Sequence, residues 1–426
     1  MKNFIKRILH FMYHFEYKDV THKRVWIMGF KKTFKVNMLP TICDNYTRIE
    51  KEVRQKAKKQ KLKVAFLISE TEKWQYQTLY EGMEKSTNFE PFIVVVPINY
   101  KNKDIQRLHE TYRFFKTQKH NVFYGYDIER KKYIPLEEFK ADIVFYQQPW
   151  GISPIQHILP VSKFALTAYC PYAIVENEQV FDDACLFFDA LWRHYVADET
   201  ARQALKNKNF RIENIIITGH PKMDWALDIV SKEQKKKHPQ KTIIYAPHHS
   251  FSKNGLQWAT FEWSGQKLLE LNKRYPQYMW ILKPHPLFQK MLIKEGIMTE
   301  DAFKKYCQSW QEHGKIVTGG NYFELFGQSD LLITDCGSFL AEYALTQKPV
   351  IRLIAQNAYP QHPYNEKLSQ NYYKVYDSSS IEQVFQEVVL NGNDFLKEKR
   401  EADFQKEHFG EATQKILLSL THDLEL

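Results

Sequence analysis

The stretch KTIIYAPHHSF, residues 241–251, decides how the chain reads. Thr242 to Ala246 form a short apolar run with β-branched character, the texture of a strand buried on both faces. Pro247 has no N–H to continue a ladder, and two adjacent histidines follow it. The pattern returns in YMWILKPHPL, residues 278–287, where Lys283-Pro284-His285-Pro286 closes a second apolar run. Strands that end repeatedly on histidine and lysine are a functional signal, because a core strand has no packing use for either.

Working outward, the chain alternates short apolar runs with amphipathic segments. Strands are expected at 63–69, 89–97 and 141–147. A second series is expected at 214–219, 242–247, 279–284, 315–319, 331–334 and 350–354. Helices are expected between them, as in TEKWQYQTLYEGMEKS, WSGQKLLELNKRY and FLAEYALTQ. That alternation predicts parallel sheets covered by helices, an α/β class of doubly wound Rossmann-like units. A length of 426 residues exceeds one ordinary core, so two such domains are expected. Their spans are 61–210 and 211–426, with terminal helices in the second. Residues 1–60 read as a basic helical extension, and the lysine-rich 231–241 as a surface loop.

Sixty Lys and Arg against fifty Asp and Glu give a net charge of +10, which favours anionic partners. The basic residues are dispersed and no recognised nucleic-acid module appears, so no nucleic-acid partner is expected. The five cysteines are scattered without a CxxC pair, which fits a reducing, cytoplasmic location. No apolar run approaches the ~20 residues of a membrane span. The N-terminal segment carries Phe4, Ile5, Ile8, Leu9 and Met12 among basic residues, which suits either an anionic membrane surface or ordinary packing on its own domain. Asp182 and Asp183 read as a solvated face or loop. The absence of GxGxxG after the first strand, of GxxxxGK[ST] and of GxSxG argues against dinucleotide, P-loop and α/β-hydrolase chemistry.

Ligands of open parallel sheets bind outside the carboxyl ends of the strands. Four expected strands of the second half end on polar or cationic groups: His220 and Lys222; His248 and His249; Lys283 and His285; Thr334, Asp335 and Ser338. Together with Gly337, and Ser338 as the cap of a helix start, they suit a phosphate-bearing ligand, specifically a diphosphate. The His248-His249 pair lacks helical i, i+4 spacing and has no neighbouring Cys or carboxylate, so no metal and no cofactor are expected.

ITGHPKMD, IIYAPHHS, ILKPHP and SDLLITDCGSFLAEYALTQKPVI, in that order, resemble the CDP-glycerol glycerophosphotransferase family, whose members make teichoic acids and related capsule polymers. The likeness covers 212–355 and extends over 63–97. It implies a GT-B arrangement of two facing Rossmann-like domains, with a CDP-activated polyol donor held mainly by the second. It also implies an acceptor that is a phosphate-containing polysaccharide or lipid-linked chain. A peripheral place on the inner face of the plasma membrane is an expectation that rests only on the N-terminal segment and the basic charge. Gly219, Pro221, Lys222 and Asp224 match the family's G-x-P-[RK]-x-D turn, and Tyr245, Ala246 and Pro247 its Y-A-P strand end. His285 matches the histidine that acts on the donor diphosphate, and Asp335 and Ser338 the T-D-x-x-S segment that receives phosphate. His248 and His249 are the further phosphate ligands, or proton donors to the leaving group.

The chain departs from the family at Cys336-Gly337, where tyrosine and serine are common, and at Glu342, where aspartate is frequent. The family's WHG segment, with its acceptor base, has no copy. Trp150-Gly151 stands nearest, and the nearby His157 is the residue nominated as base. The rival readings are a GT-B glycosyltransferase using a nucleotide sugar, and a non-catalytic binder of polyanions or membrane.

Overall fold

A computed structural model of the chain describes residues 13–19, 22–27, 30–174, 184–252, 255–318, 322–404 and 410–426. The N-terminal amphipathic segment and Asp182-Asp183 lie outside them. The chain divides into two compact units, Met1–Asp224 with Glu407–Leu426, and Trp225–Lys406.

The first unit opens with an antiparallel meander, β1 (Tyr13–Asp19), β2 (His22–Ile27) and β3 (Phe30–Lys35). The expectation of a mostly helical 1–60 therefore fails over these three described strands. In β1 the aromatic residues Tyr13, Phe15 and Tyr17 alternate with His14, Glu16 and Lys18 at period two, which is strand texture, and in β2 Val25 is buried between Arg24 and Trp26. Helix Leu39–Ala57 does form, with proline in its first turn and Ile42, Tyr46, Ile49 and Val53 buried at three- to four-residue spacing.

There follow β4 (Leu62–Ile68), β5 (Phe89–Val95), β6 (Val122–Tyr124), the small hairpin β7 (Tyr126–Asp127) and β8 (Lys132–Tyr133), β9 (Ile143–Tyr146), β10 (Leu166–Tyr169), β11 (Arg193–Val196) and β12 (Ile215–Ile217). The main sheet has the order β12-β11-β10-β9-β4-β5-β6 and is parallel throughout. The strand order reverses between β4 and β9, which makes that the switch point of the sheet.

Two boundaries differ from those expected from sequence. β12 pairs with β11, His194 opposite Ile215, so the strand expected to start the second domain completes the first sheet. A short apolar run carries no mark of which sheet it joins. The terminal helix Ala412–Leu424 also returns to the first unit, burying Ile416, Leu420 and Leu424 in its core. Its start is held by Asp224, which accepts from the N–H groups of Gly410, Ala412 and Thr413 at 3.0, 3.2 and 2.7 Å. The lysine-rich segment is helical in its first part, within helix Pro221–Gln234.

The second unit contains β13 (Thr242–Ala246), β14 (Met279–Leu282), β15 (Gly314–Ile316), β16 (Leu331–Thr334), β17 (Val350–Leu353) and β18 (Tyr373–Val375). Its order, β15-β14-β13-β16-β17-β18, is the doubly wound 3-2-1-4-5-6 arrangement, parallel throughout. The switch point lies between β13 and β16. Both are wholly buried strands, whose Ile and Leu side chains each contribute roughly 1.5–3 kcal/mol by leaving water.

Candidate functional site

The site forms where β13, β14 and β16 end. Tyr245 lies opposite Leu282 and Ala246 opposite Thr334, so the three following loops leave the sheet at one level. Pro247 stops the ladder but keeps its carbonyl, which accepts from the N–H of His285 at 3.1 Å. That bond pins the second histidine loop to the first. The outcome is a cluster of three imidazoles. His249 stacks on His285 with centroids 4.0 Å apart, and His248 lies 4.3 and 5.3 Å from them.

Asp335 is the brace beneath. One carboxylate oxygen accepts from the N–H of His248 at 2.6 Å, and the other from the N–H and hydroxyl of Thr260 at 2.7 and 2.9 Å. Burial pushes its pKa up to about 6, against the opposing pull of those donors. Thr334 is likewise a tie: its hydroxyl donates to the Ala246 carbonyl and accepts from the Cys336 N–H. The carboxylate and hydroxyl that the T-D-x-x-S pattern offers as ligands are thus occupied in holding the switch point shut.

The hydrogen-bond network assigns the proton positions on two rings. His285 Nδ1 accepts from the N–H of Leu287 at 3.1 Å, and His248 Nδ1 from the N–H of Ser250 at 3.3 Å. In its neutral form either ring therefore carries its hydrogen on Nε2. The ring nitrogens of His248, His249 and His285 lie close enough to suggest a metal, within 4.8 Å of one another. A metal-facing Nε2 lone pair, however, would require Nδ1 to hold a proton against a backbone N–H. The tautomers fit an anion better than a cation. Burial holds His248 well below the usual imidazole range and His249 at about 4, so both are neutral N–H donors at pH 7. Nδ1 of His249 is buried with no hydrogen-bond partner among the described residues.

Lys283 is buried, its ammonium 5.5 Å from the centre of the Tyr322 ring, and desolvation lowers its pKa. Glu342 is buried in the same group, hydrogen-bonded to Tyr322 and acting on Lys283 through its charge. Helix Gly337–Tyr343 starts one residue before the expected cap: Cys336 is the cap, and Ser338 is exposed within the first turn. A Cβ at position 337 would meet Gln361 Oε1 at 2.2 Å, so glycine admits that amide to the helix start.

His220 and Lys222 fall in the first unit. His220 donates from Nε2 to the Pro171 carbonyl at 2.6 Å and accepts at Nδ1 from the Lys222 N–H. Burial, with Lys222 adding to it, lowers its pKa to about 3. Both ring nitrogens are used, and the ring is a structural tie. His157 caps helix Ile158–Val161, packs 6.5 Å from the Phe187 ring, and is pushed to about 4 by burial. Thr260, Ser250 and Tyr322 carried no signal in the sequence, since their roles come from contacts far along the chain.

The family model for CDP-glycerol:poly(glycerophosphate) glycerophosphotransferase matches residues 33–380. The chain belongs to that family. The teichoic acid poly(ribitol-phosphate) polymerase of Bacillus spizizenii is 30% identical over 153 residues, 33% of this chain and only 22% of that protein. Among solved structures, UDP-GlcNAc 2-epimerase from Neisseria meningitidis bound to UDP-GlcNAc superposes with a TM-score of 0.56 at 13% identity, covering 85% of this chain and all of that one. The Methanocaldococcus jannaschii UDP-GlcNAc 2-epimerase, solved with UDP-GlcNAc and UDP, gives 0.55 at 16%, again covering 85% and 100%. These likenesses show the fold, which is of the GT-B type with two Rossmann-like units.

Proposed function

We propose that this glycerophosphotransferase-family protein moves glycerol phosphate, or another polyol phosphate, from a CDP-activated donor to a hydroxyl of a growing phosphate-containing polymer, releasing CMP. The observation that carries the reading is the convergence of His248, His249 and His285 at the switch point of the second sheet.

In this reading the N–H groups of the imidazoles and the ammonium of Lys283 receive the donor diphosphate. The acceptor oxygen forms a bond to the β-phosphorus while the bond to the oxygen bridging to CMP breaks. Charge gathering on the bridging and equatorial oxygens is met by groups already in place, so little reorganisation is needed. The diphosphate itself favours the charged imidazole, which lets His249 or His285 become a proton donor to the departing CMP. The exposed hydroxyl of Ser338 adds one more donor. His157 stays the nominated acceptor base. Its pKa near 4 leaves it unprotonated at neutral pH, and a loose transition state takes the acceptor proton late, so a weak base suffices.

The meander at the start of the first unit supports a membrane-facing location. Ile27 and Phe30 are 53% and 82% exposed and stand opposite each other in β2 and β3, with Lys31, Lys32 and Lys35 exposed beside them. Apolar tips among cations suit an anionic lipid surface. No helix among the described residues is long and apolar enough to cross a membrane.

The test is phosphorus NMR of a glycerol-phosphate oligomer incubated with CDP-glycerol and the protein. A new phosphodiester resonance with stoichiometric CMP is expected; hydrolysis of the donor without chain growth contradicts the reading.

A further inference from the structure

We propose that a cleft at the amino ends of β4, β5 and β6 is a second, non-catalytic binding site for a small phosphate monoester with free hydroxyls, a sugar phosphate or polyol phosphate, held by Lys116, Lys119 and His120. The cleft belongs to the first unit and the histidine cluster to the second, so the site does not depend on the transferase reading.

Lys61 stands directly before β4, Phe89 to Pro91 open β5, and Asn121 stands directly before β6, so three neighbouring strands begin at the cleft. Helix Gln77–Lys85 lines it through Tyr80 and Glu84, and the end of helix Ile105–Thr117 through Lys116. Its volume of about 440 Å³ suits a molecule of sugar-phosphate size. The Tyr80 hydroxyl fastens two of the strand starts, donating to the Pro91 carbonyl at 3.3 Å and accepting from the Asn121 N–H at 3.1 Å. The Ile93 N–H donates to the Asn121 carbonyl at 2.8 Å and holds the same turn. Catalytic ligands of parallel sheets bind at the carboxyl ends of the strands, and this is the opposite edge.

His120 is the group that asks for a ligand. It lines the cleft yet is only 7% exposed, packed edge to face on the Tyr80 ring with centroids 4.5 Å apart. A carbonyl can only accept, so the 3.3 Å contact between Nδ1 and the Phe115 carbonyl places the hydrogen of the ring on Nδ1. Burial lowers the pKa of the ring, which keeps it neutral at pH 7. The lone pair on Nε2 then has no donor among the described residues. A buried acceptor in that condition is completed by an O–H or N–H brought from outside.

The charges around that ring sort the ligand classes. Lys116 and Lys119 are exposed, and their ammonium groups enter no ion pair or hydrogen bond among the described residues. Lys61 is already tied to the Ser86 carbonyl at 2.8 Å. Glu84 and Glu90 stand at the same cleft as acceptors. Two free cations match the dianion of a phosphate monoester, while a ring nitrogen and two carboxylates accept from hydroxyls. Inorganic phosphate satisfies only the first set and a neutral polyol only the second. A molecule with both parts satisfies the cleft.

The test is hydrogen exchange of the full-length protein, read by mass spectrometry, with ribitol phosphate, glucose phosphate, inorganic phosphate, ribitol and L-serine, each at ~10 mM to saturate a site of ~mM affinity. At least one of the two sugar or polyol phosphates should slow exchange in peptides spanning 86–93 and 115–122, whatever it does at 247–251 and 283–287. Inorganic phosphate and ribitol should leave 115–122 unprotected. Calorimetry of the effective ligand is run in a His285→Ala background, which weakens competing phosphate binding at the histidine cluster. There, Lys116→Ala combined with Lys119→Ala should lower affinity ~10-fold, and His120→Phe ~5- to 10-fold, about one hydrogen bond. Should His120→Phe lower Tm, the lysine pair, which lies on the surface, still decides. Equal protection of 115–122 by inorganic phosphate, protection by serine alone, or protection by none of the five overturns the proposal. So does an affinity indifferent to the lysine pair.

Discussion

His249 lies stacked on His285, centroids 4.0 Å apart and planes 27° from parallel, although the two belong to different strand ends. That stacking brings ring nitrogens from two separate loops to one place, which is what the proposed diphosphate ligand would use.

His285→Ala should lower kcat at least ~100-fold, the typical cost of removing one preorganised donor from a phosphoryl transition state. The ring is only partly buried, so circular dichroism and Tm should stay near wild type. Steady-state CMP release is the measurement. His157→Ala should cost less, ~10-fold, because a late proton transfer asks little of its base.

Asp335→Asn replaces an oxygen facing backbone N–H groups by an amide that cannot accept on both sides. A stability loss of roughly 1–3 kcal/mol is expected in urea melts, with a higher donor KM as the His248 loop shifts. Protonation should mimic the substitution, so donor affinity should fall as pH drops below about 6 in the wild type and vary less in the mutant. An unchanged donor KM in Asp335→Asn would remove the brace from the account.

Acid stability has a calculable sign. His157, His194, His220 and His249 are held by burial at about 4, 3, 3 and 4, below the ordinary 6.5. The unfolded chain binds protons that the folded one refuses. Stability is complete above pH 6.5 and is lost as pH falls toward 4 and 3, at roughly 1.4 kcal/mol per pH unit for each ring. Asp335 runs the other way, its contribution present below 3.8 and lost as pH rises through about 6, and it is outnumbered. His194→Leu should flatten the fall of Tm between pH 6.5 and 4 whether or not it changes Tm at pH 7.

Phe30→Asp combined with Ile27→Asp should reduce co-sedimentation with vesicles rich in anionic lipid, with kcat on a soluble acceptor unchanged. Undiminished sedimentation would separate membrane binding from the β2–β3 hairpin.

Much of the second unit was legible because its strands are continuous apolar runs and its ligands sit beside them: His248, His249, Lys283 and His285 all follow within a few residues of a strand end. What stayed hidden was long-range pairing. Ile215–Ile217 looks like a first strand until it pairs with His194–Val196, so His220 and Lys222 were grouped with loops of the other sheet. The role of Asp335 as a tie depends on Thr260, whose position relative to β16 no local pattern encodes. In the N-terminal meander the basic composition masked an alternation that fits strands.

The most direct test of the central claim is to incubate the protein with CDP-glycerol, CDP-ribitol and a set of nucleotide sugars, each with a phosphate-polymer acceptor, and to identify the released nucleotide. The account predicts CMP from at least one CDP-polyol, suppressed at least ~100-fold by His285→Ala. Release of a nucleoside diphosphate from a sugar donor, or CMP release indifferent to His285, would contradict it.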